Sequence, residues 1–268
     1  MRKYHNYAAN DFTIVLCAYK ECDYLEESIK AIMSQTVKPH VLISTSTPNE
    51  HIYGLANKYG IDVRVNPDGG HVIDYNFALE QAETALCMLA HQDDILHKKF
   101  VESCLKEINT AKKPIIAFTN YLEMHNDVID KKPSGMVRIK RLMLFPCRSR
   151  VLRETRFGKW LIQCMGDPIT HPTVVCVKKE MPTVCFREQY KASMDWDFWE
   201  RLSKQKGAFV YVPDVLLYHR MNDENTTSIL LETSNARYEE EYEINCRFWP
   251  KPIAKLIKKF YSKASKYY

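Results

Sequence analysis

Leu86-Cys87-Met88-Leu89-Ala90-His91-Gln92-Asp93-Asp94 is the stretch on which the reading of this chain turns. Its five leading apolar residues form a run too short for an ordinary helix and suited to a strand covered on both faces. The run then delivers two adjacent carboxylates. In open α/β sheets, ligands bind outside the carboxyl ends of the strands, so an acidic pair at that position is placed to hold a hard divalent cation.

Upstream, short apolar runs alternate with helical periodicity, the pattern of parallel strands joined by crossover helices. A first strand is expected over 13–18, followed by a helix with Leu25, Ile29, Ile32 and Met33 on one face. A second strand is expected over 41–44, and Thr47-Pro48-Asn49-Glu50 has the form of a capping box opening a helix towards Tyr59. A third strand covers 63–65, and Asn66-Pro67-Asp68-Gly69-Gly70 marks a turn before a helix through Leu79 and Ala82. The quoted stretch is therefore the fourth strand. Beyond it the pattern predicts a helix over 98–111, strands over 115–119, 174–177 and 208–212, and a helix over 195–205.

The bulk properties narrow the class. At 268 residues the chain can bury a large core. Its 46% hydrophobic and 26% charged residues exclude wholesale disorder and a membrane-spanning bundle. No apolar run approaches the ~20 residues needed to cross a bilayer, and residues 1–11 lack the apolar stretch of a signal peptide. Nine scattered cysteines, odd in number and without a Cys-x-x-Cys pair, argue against a zinc module or a disulfide framework. A reducing, cytoplasmic setting is expected.

The net charge of +5 is unevenly placed. Residues 251–268 hold six lysines and no acid, with Ile253, Leu256, Ile257, Phe260, Tyr261 and Ala264 on one helical face. That is the form of an interfacial helix, with peripheral contact to the anionic inner face of a membrane as one expectation and a helix packed on the body with a solvated basic face as the other. A second basic stretch, 138–159, sets eight Lys or Arg against Glu154 alone and could meet phosphates or anionic lipid. The known nucleic-acid motifs are missing and the total charge is modest, so no nucleic-acid partner is expected.

Taken in order, these motifs resemble the inverting family 2 glycosyltransferases of the GT-A fold, and the likeness runs from about 11 to 228. The resemblance implies an α/β fold: a Rossmann-like, mainly parallel sheet flanked by helices, with a C-terminal helical tail. It divides the chain into a nucleotide-sugar half (1–120), an acceptor and catalytic-base half (121–230) and a basic tail (231–268). Val15-Leu16-Cys17-Ala18-Tyr19-Lys20 is similar to the family's first strand and nucleotide-contacting loop, which implies Ala18 and Tyr19 at the donor. Ser44-Thr45-Ser46-Thr47 stands where the family carries Asp-Asp-x-Ser, leaving the Ser44 hydroxyl for the base. Asn76-Phe77-Ala78-Leu79 resembles the Asn-x-Gly-Leu helix, which implies a donor-side role for Asn76.

In the family's Asp-x-Asp-Asp motif, His91 replaces the first acid, and Asp93 and Asp94 match the later two. The resemblance implies Asp93 as direct ligand of Mg²⁺ or Mn²⁺ and Asp94 as a supporting one, with His91 and Gln92 near the ribose. Met194-Asp195-Trp196-Asp197-Phe198-Trp199-Glu200-Arg201-Leu202 is similar to the family's Glu-Asp-Trp-Asp-Leu-Trp-x-Arg-Leu segment, with Met194 for the first Glu. It implies Asp195 as general base; an Asp here could also simply cap a helix. Tyr218-His219-Arg220 with Thr226-Thr227-Ser228 resembles the loop that folds over the diphosphate, which implies Arg220 at the leaving group. His219 reads as structural, and Gly166 to Pro172 reads equally as an acceptor-facing turn or as a plain turn.

The activity implied is metal-assisted, inverting transfer of a sugar from a nucleotide-diphosphate donor to a sugar or lipid-linked acceptor, of the bacterial polysaccharide type. Two alternatives come from the same residues. Ala90-His91-Gln92-Asp93-Asp94 is similar to the metal motif of zinc-dependent sugar N-deacetylases, although three strand-helix units precede it and no His-x-x-His follows. A non-catalytic sugar-nucleotide or membrane-binding subunit is the other, suggested by the missing acids.

Overall fold

The computed structural model describes residues 3–221 and 236–264. The first four expected strands form as β1 (Phe12–Ala18), β2 (His40–Thr45), β3 (Asp62–Val65) and β4 (Leu86–His91), all parallel, with β1 in the middle. Helices α1 (Leu25–Met33), α2 (Glu50–Tyr59) and α3 (His71–Gln81) are the crossovers. After β4 come β5 (Ile95–Leu96), α4 (Phe100–Ile108), β6 (Pro114–His125), β7 (Val128–Ile129), α5 (Gly135–Met143), α6 (Arg156–Gln163), β8 (Val174–Val177), α7 (Met194–Ser203), β9 (Ala208–Arg220), α8 (Ala236–Asn245) and α9 (Lys251–Ala264). The sheet order is β3-β2-β1-β4-β8-β6-β9-β5, with β7 paired to β6.

Alternate residues of the central strands enter opposite cores. Ile14, Leu16, Met88 and Ala90 join the cluster packed by α1, α2 and α4. Val15, Cys87 and Leu89 join the cluster packed by α3, α6 and α7. Both faces are covered, which is why these strands read as continuous apolar runs rather than alternating ones. All nine cysteines are free, and most are buried among these side chains.

One expectation is corrected. The α2 helix does not open on a Thr47 capping box: extended Asn49 is the cap, accepting from the Ile52 N–H at 2.9 Å, and Gly60 closes the helix in the left-handed region at φ 64°. The Thr47 hydroxyl instead accepts from the Lys20 N–H at 2.5 Å.

At the expected division near Asn120, β6 runs unbroken and pairs with β9 along its length, as far as Met124 and Arg220. The halves therefore share one sheet. In it β8 lies antiparallel between β4 and β6, and β5 antiparallel to β9, so the sheet is mixed.

In the C-terminal segment the described residues 236–264 form helices α8 and α9, which pack on the body. Ile244 in α8 is fully buried, and Glu240 accepts from the N–H groups of Lys191, Ala192 and Ser193 at 3.0, 2.9 and 2.8 Å, holding the entrance to α7. In α9, Ala254 and Ile257 turn into the body while Ile253 and Leu256 stay exposed, so the apolar stripe is split between packing and solvent. The side chains of Phe260, Tyr261 and Ala264 lie outside the described residues, and no described helix is long and apolar enough to cross a membrane.

Candidate active site

The carboxyl edge of the sheet gathers two acidic groups. The first sits on the turn after β4. Gln92 fastens that turn to the end of β1 with both amide atoms: its Oε1 accepts from the Tyr19 N–H at 2.8 Å and its Nε2 donates to the Tyr19 carbonyl at 3.2 Å. Ser28 of α1 donates its hydroxyl to the carbonyls of Gln92 (2.9 Å) and Asp94 (2.7 Å). With its backbone held from two sides, the turn presents His91, Asp93 and Asp94 with one ligand atom each, all within 4.8 Å of one another.

Asp94 is asymmetric. Its Oδ1 accepts from His219 Nδ1 at 2.8 Å and from the Arg220 N–H at 3.1 Å. Its Oδ2 is enclosed, has no hydrogen-bond partner and lies 3.7 Å from His91 Nδ1. Burial pushes the Asp94 carboxyl up, but His219, His91 and the Arg220 N–H together outweigh it and hold the group below the usual range. Asp93 is raised, by burial and by the charge of Asp94. Burial lowers His219 and Asp94 more than restores it, so this histidine is held above its ordinary value, towards the charged form. A buried carboxylate oxygen left without a donor is costly unless a cation faces it, and the His-Asp-Asp oxygen and nitrogen donors suit a divalent ion.

His91 is supported from behind. Its Nε2 lies 3.3 Å from the Tyr75 hydroxyl, and its ring meets that of His171 edge-on at 5.3 Å between centroids. Burial, with His91 and His71 nearby, holds His171 well below its usual range and therefore neutral.

The second acidic group forms where the loop before β8 meets the start of α7. Asp167 and Asp195 are hydrogen-bonded to each other, both half-buried. Burial raises both, and the charge of Asp195 drives Asp167 furthest, well above the carboxylate range. Asp195 is opposed by the Trp196 N–H at 2.9 Å, by Lys140 and Arg237, and by the hydrogen bond from Asp167. Asp167 is thus raised further than Asp195, and the hydrogen bond between them favours the charged form of Asp195. Asp195 is not the helix cap, a position taken by Ser193.

Behind it, Asp197 is fully buried and bound by Arg187, by Arg201 at 3.1 Å and by Arg247 at 2.6 Å. This network locks α7, and with it the orientation of Asp195.

Two expected donor residues, Arg220 and Asn76, are bonded within the protein. Arg220 is only 1% exposed; its Nε donates to the Asp93 carbonyl at 3.0 Å, its other nitrogens pair with Asp127 and with Glu27 at 2.6 Å, and its plane lies 3.9 Å over the Tyr24 ring. It braces the Asp93 turn through the Asp93 carbonyl. Asn76 spends its amide on the Phe186 backbone, at 2.7 and 2.9 Å, because that buried loop residue needs a partner for both polar groups. Ser44 is buried within β2. Ala18 is buried at the end of β1, whereas Tyr19 is exposed at the same edge. Thr226-Thr227-Ser228 lies outside the described residues.

Sequence reading missed His219 as the partner of Asp94, Asp167 as the partner of Asp195, and the approach of Lys140 and Arg237. Only Asp167 carried a signal, its place in the Gly166-Asp167-Pro168 turn.

A mixed α/β sheet with an acidic turn after its fourth strand and a carboxylate at the start of a later helix is the arrangement of a nucleotide-sugar transferase. The chain belongs to glycosyl transferase family 2, whose description matches residues 13–170. No curated protein matches it. Among solved structures, S. aureus TarS 1-349 in complex with UDP-GlcNAc superimposes with a TM-score of 0.62 at 15% identity, covering 92% of this chain and 70% of that one. Against the longer S. aureus TarS the chain spans 42% of the partner. Glucosyl-3-phosphoglycerate synthase from Mycobacterium tuberculosis, in complex with Mn²⁺, UDP and phosphoglyceric acid, gives 0.53 at 15% identity over 82% of this chain and 75% of the other. The GT-A, Rossmann-like fold and membership of a glycosyltransferase family follow, and the family answers the deacetylase alternative.

Proposed function

We propose that the protein transfers a sugar from a uridine-diphosphate donor to a hydroxyl of a sugar or lipid-linked acceptor, with inversion, in bacterial polysaccharide synthesis at the cytoplasmic face of the membrane. The observation that carries this reading is the acidic turn after β4, where His91, Asp93 and Asp94 converge within 4.8 Å around the enclosed Asp94 Oδ2, with the carboxyl pair of Asp167 and Asp195 supplying a base at the start of α7. A base must be ionised when the acceptor arrives, and Asp167 supplies the hydrogen bond that keeps Asp195 so. As the acceptor oxygen bonds to the anomeric carbon, its proton passes to Asp195 and the bond from that carbon to the diphosphate oxygen breaks, the electron pair leaving with the nucleotide.

Asp93 and Asp94, with His91 replacing the family's first acid, are the residues that would hold Mg²⁺ or Mn²⁺. When bound, such an ion offsets the charge of the diphosphate. The enclosed, partnerless Asp94 Oδ2 supports this assignment, and the neighbours solved with UDP and Mn²⁺ support the nucleotide and the metal. His219 and Arg220 act one layer back, orienting Asp94 and the Asp93 backbone. Tyr19, beside the turn, remains the exposed candidate for stacking with the base.

The test is a donor screen with UDP, GDP and TDP sugars plus Mn²⁺, reading nucleotide release and thermal shift. Asp195→Asn is expected to keep the donor-induced shift and lose transfer. Full turnover by that variant, or no shift with any donor, would overturn the reading.

A further inference from the structure

Residues 135–163 fold into a layer of short elements: α5, a 3-10 turn at Phe145–Arg148, a second at Leu152–Glu154, and α6. They pack on one another and on β6 and β9. The layer has a complete inner face, with Val137, Leu144, Cys147 and Ile162 all buried. It is also tightly closed: a Cβ on Gly158 would lie 2.0 Å from the Leu152 carbonyl oxygen, so α6 rests directly on the preceding turn.

The outer surface is of another character. Leu142, Phe145, Val151 and Phe157 are 73%, 62%, 73% and 61% exposed. Since the inner face is already filled, these side chains are not the residue of incomplete packing. Four exposed arginines, Arg138, Arg148, Arg150 and Arg156, are interspersed with them, and the guanidinium of Arg148 lies 5.7 Å from the Phe145 ring. Glu154, partly buried, is the one acid between 138 and 163.

The surface continues into the C-terminal segment. Trp160 of α6 stacks on Phe157 and meets Trp249 edge-on at 5.2 Å, and Trp249 donates to the Cys164 carbonyl at 2.6 Å. Directly after Trp249, α9 begins, with Ile253 and Leu256 exposed among its lysines.

Large exposed apolar groups interleaved with cations complement an anionic bilayer, whose headgroup region accepts both. A protein partner would not require positive charge throughout the patch. We propose that the outer surface of the 135–163 layer, extended by α9, docks on an anionic lipid surface, its apolar side chains entering the headgroup region and its arginines meeting lipid phosphates. This rests on the reading of a lipid-linked acceptor, because Lys140 of the same α5 approaches Asp167 and Asp195, so docking would set the acceptor side against the headgroups.

The experiment is flotation of the full chain with phosphatidylcholine vesicles and with vesicles containing phosphatidylglycerol. Parent protein is expected to float with the anionic vesicles only. Phe145→Ser with Phe157→Ser, and separately Arg148→Ser with Arg150→Ser and Arg156→Ser, should each weaken binding, the triple arginine change by on the order of 100-fold. Both variants should unfold at the parent temperature and release nucleotide from donor with a soluble acceptor as the parent does, which separates failure here from failure of the transferase reading. Binding unchanged by both variants, loss of binding only on truncation of 251–268, or no parent binding would overturn the proposal. So would self-association abolished by the same changes, since a second copy would then be the occupant.

Discussion

The acidic turn after β4 and the carboxyl pair at the start of α7 perform related work by opposite means. His91, Asp93 and Asp94 lie within four positions of one strand end, and their backbone is held by Gln92 and Ser28. Asp167 and Asp195 are separated by β8 and a long loop, and they meet only because Glu240, Arg247 and the Asp197 arginines hold α7 in place. A local site tolerates distant change; an assembled one inherits the stability of everything that assembles it.

The largest effect expected from breaking this contrast is at the base. Asp195→Asn keeps the shape of the pair and removes the proton acceptor, and kcat should fall on the order of 10²–10⁴-fold, measured by nucleotide release, with the donor-induced thermal shift kept. Next comes the scaffold: Asp197→Ala leaves Arg187, Arg201 and Arg247 without their buried counter-charge and should cost about 3–5 kcal/mol by chemical denaturation. The turn after β4 should keep its spacing in the folded fraction of that variant, so Mn²⁺ titration at low temperature should still give a shift.

A smaller effect is expected on the local side. His219→Ala removes the donor to Asp94 Oδ1, and Mn²⁺ affinity read by thermal shift should weaken by about 10–100-fold with the fold intact. Unchanged affinity would mean that Asp94 is not a ligand oriented by His219.

The smallest effect concerns pH. Asp195 titrates above the ordinary carboxylate range and must be ionised to act, so activity should be present above its pKa and be lost as pH falls through it. The Asp167 hydrogen bond lowers that value, so Asp167→Ala should move the acid limb of kcat/KM to higher pH. Asp167→Asn, which still offers an N–H donor, should leave the limb near the parent position. Coincident limbs for all three proteins would remove Asp167 from the reaction.

Much of the donor edge was legible because its signals are local. Continuous apolar runs in β1 and β4, helical spacing in α1 and the run into Asp93-Asp94 are all written in neighbouring residues. Asp195 was legible only through the Trp-Asp-Phe-Trp pattern around it, whose apolar members are core side chains. Arg220 was legible as a residue of the donor edge, but nothing in Tyr218-His219-Arg220 announces that Glu27, Asp127 and Tyr24 surround it. The lysines of α9 drew the reading towards the tail, while the more exposed apolar surface formed on 135–163, whose short 3-10 turns have no period to recognise.

By itself the sequence determined the strand-helix order, the two covered faces of the sheet and the acidic turn at its edge, because hydrophobic periodicity and end-of-strand position are properties of short segments. Only the tertiary structure decided that β8 runs antiparallel through the sheet, that α8 caps the entrance to α7, and that Asp167 meets Asp195. Those outcomes depend on contacts between residues tens of positions apart, and the energies of burial and charge that select them exist only once the chain has closed around them.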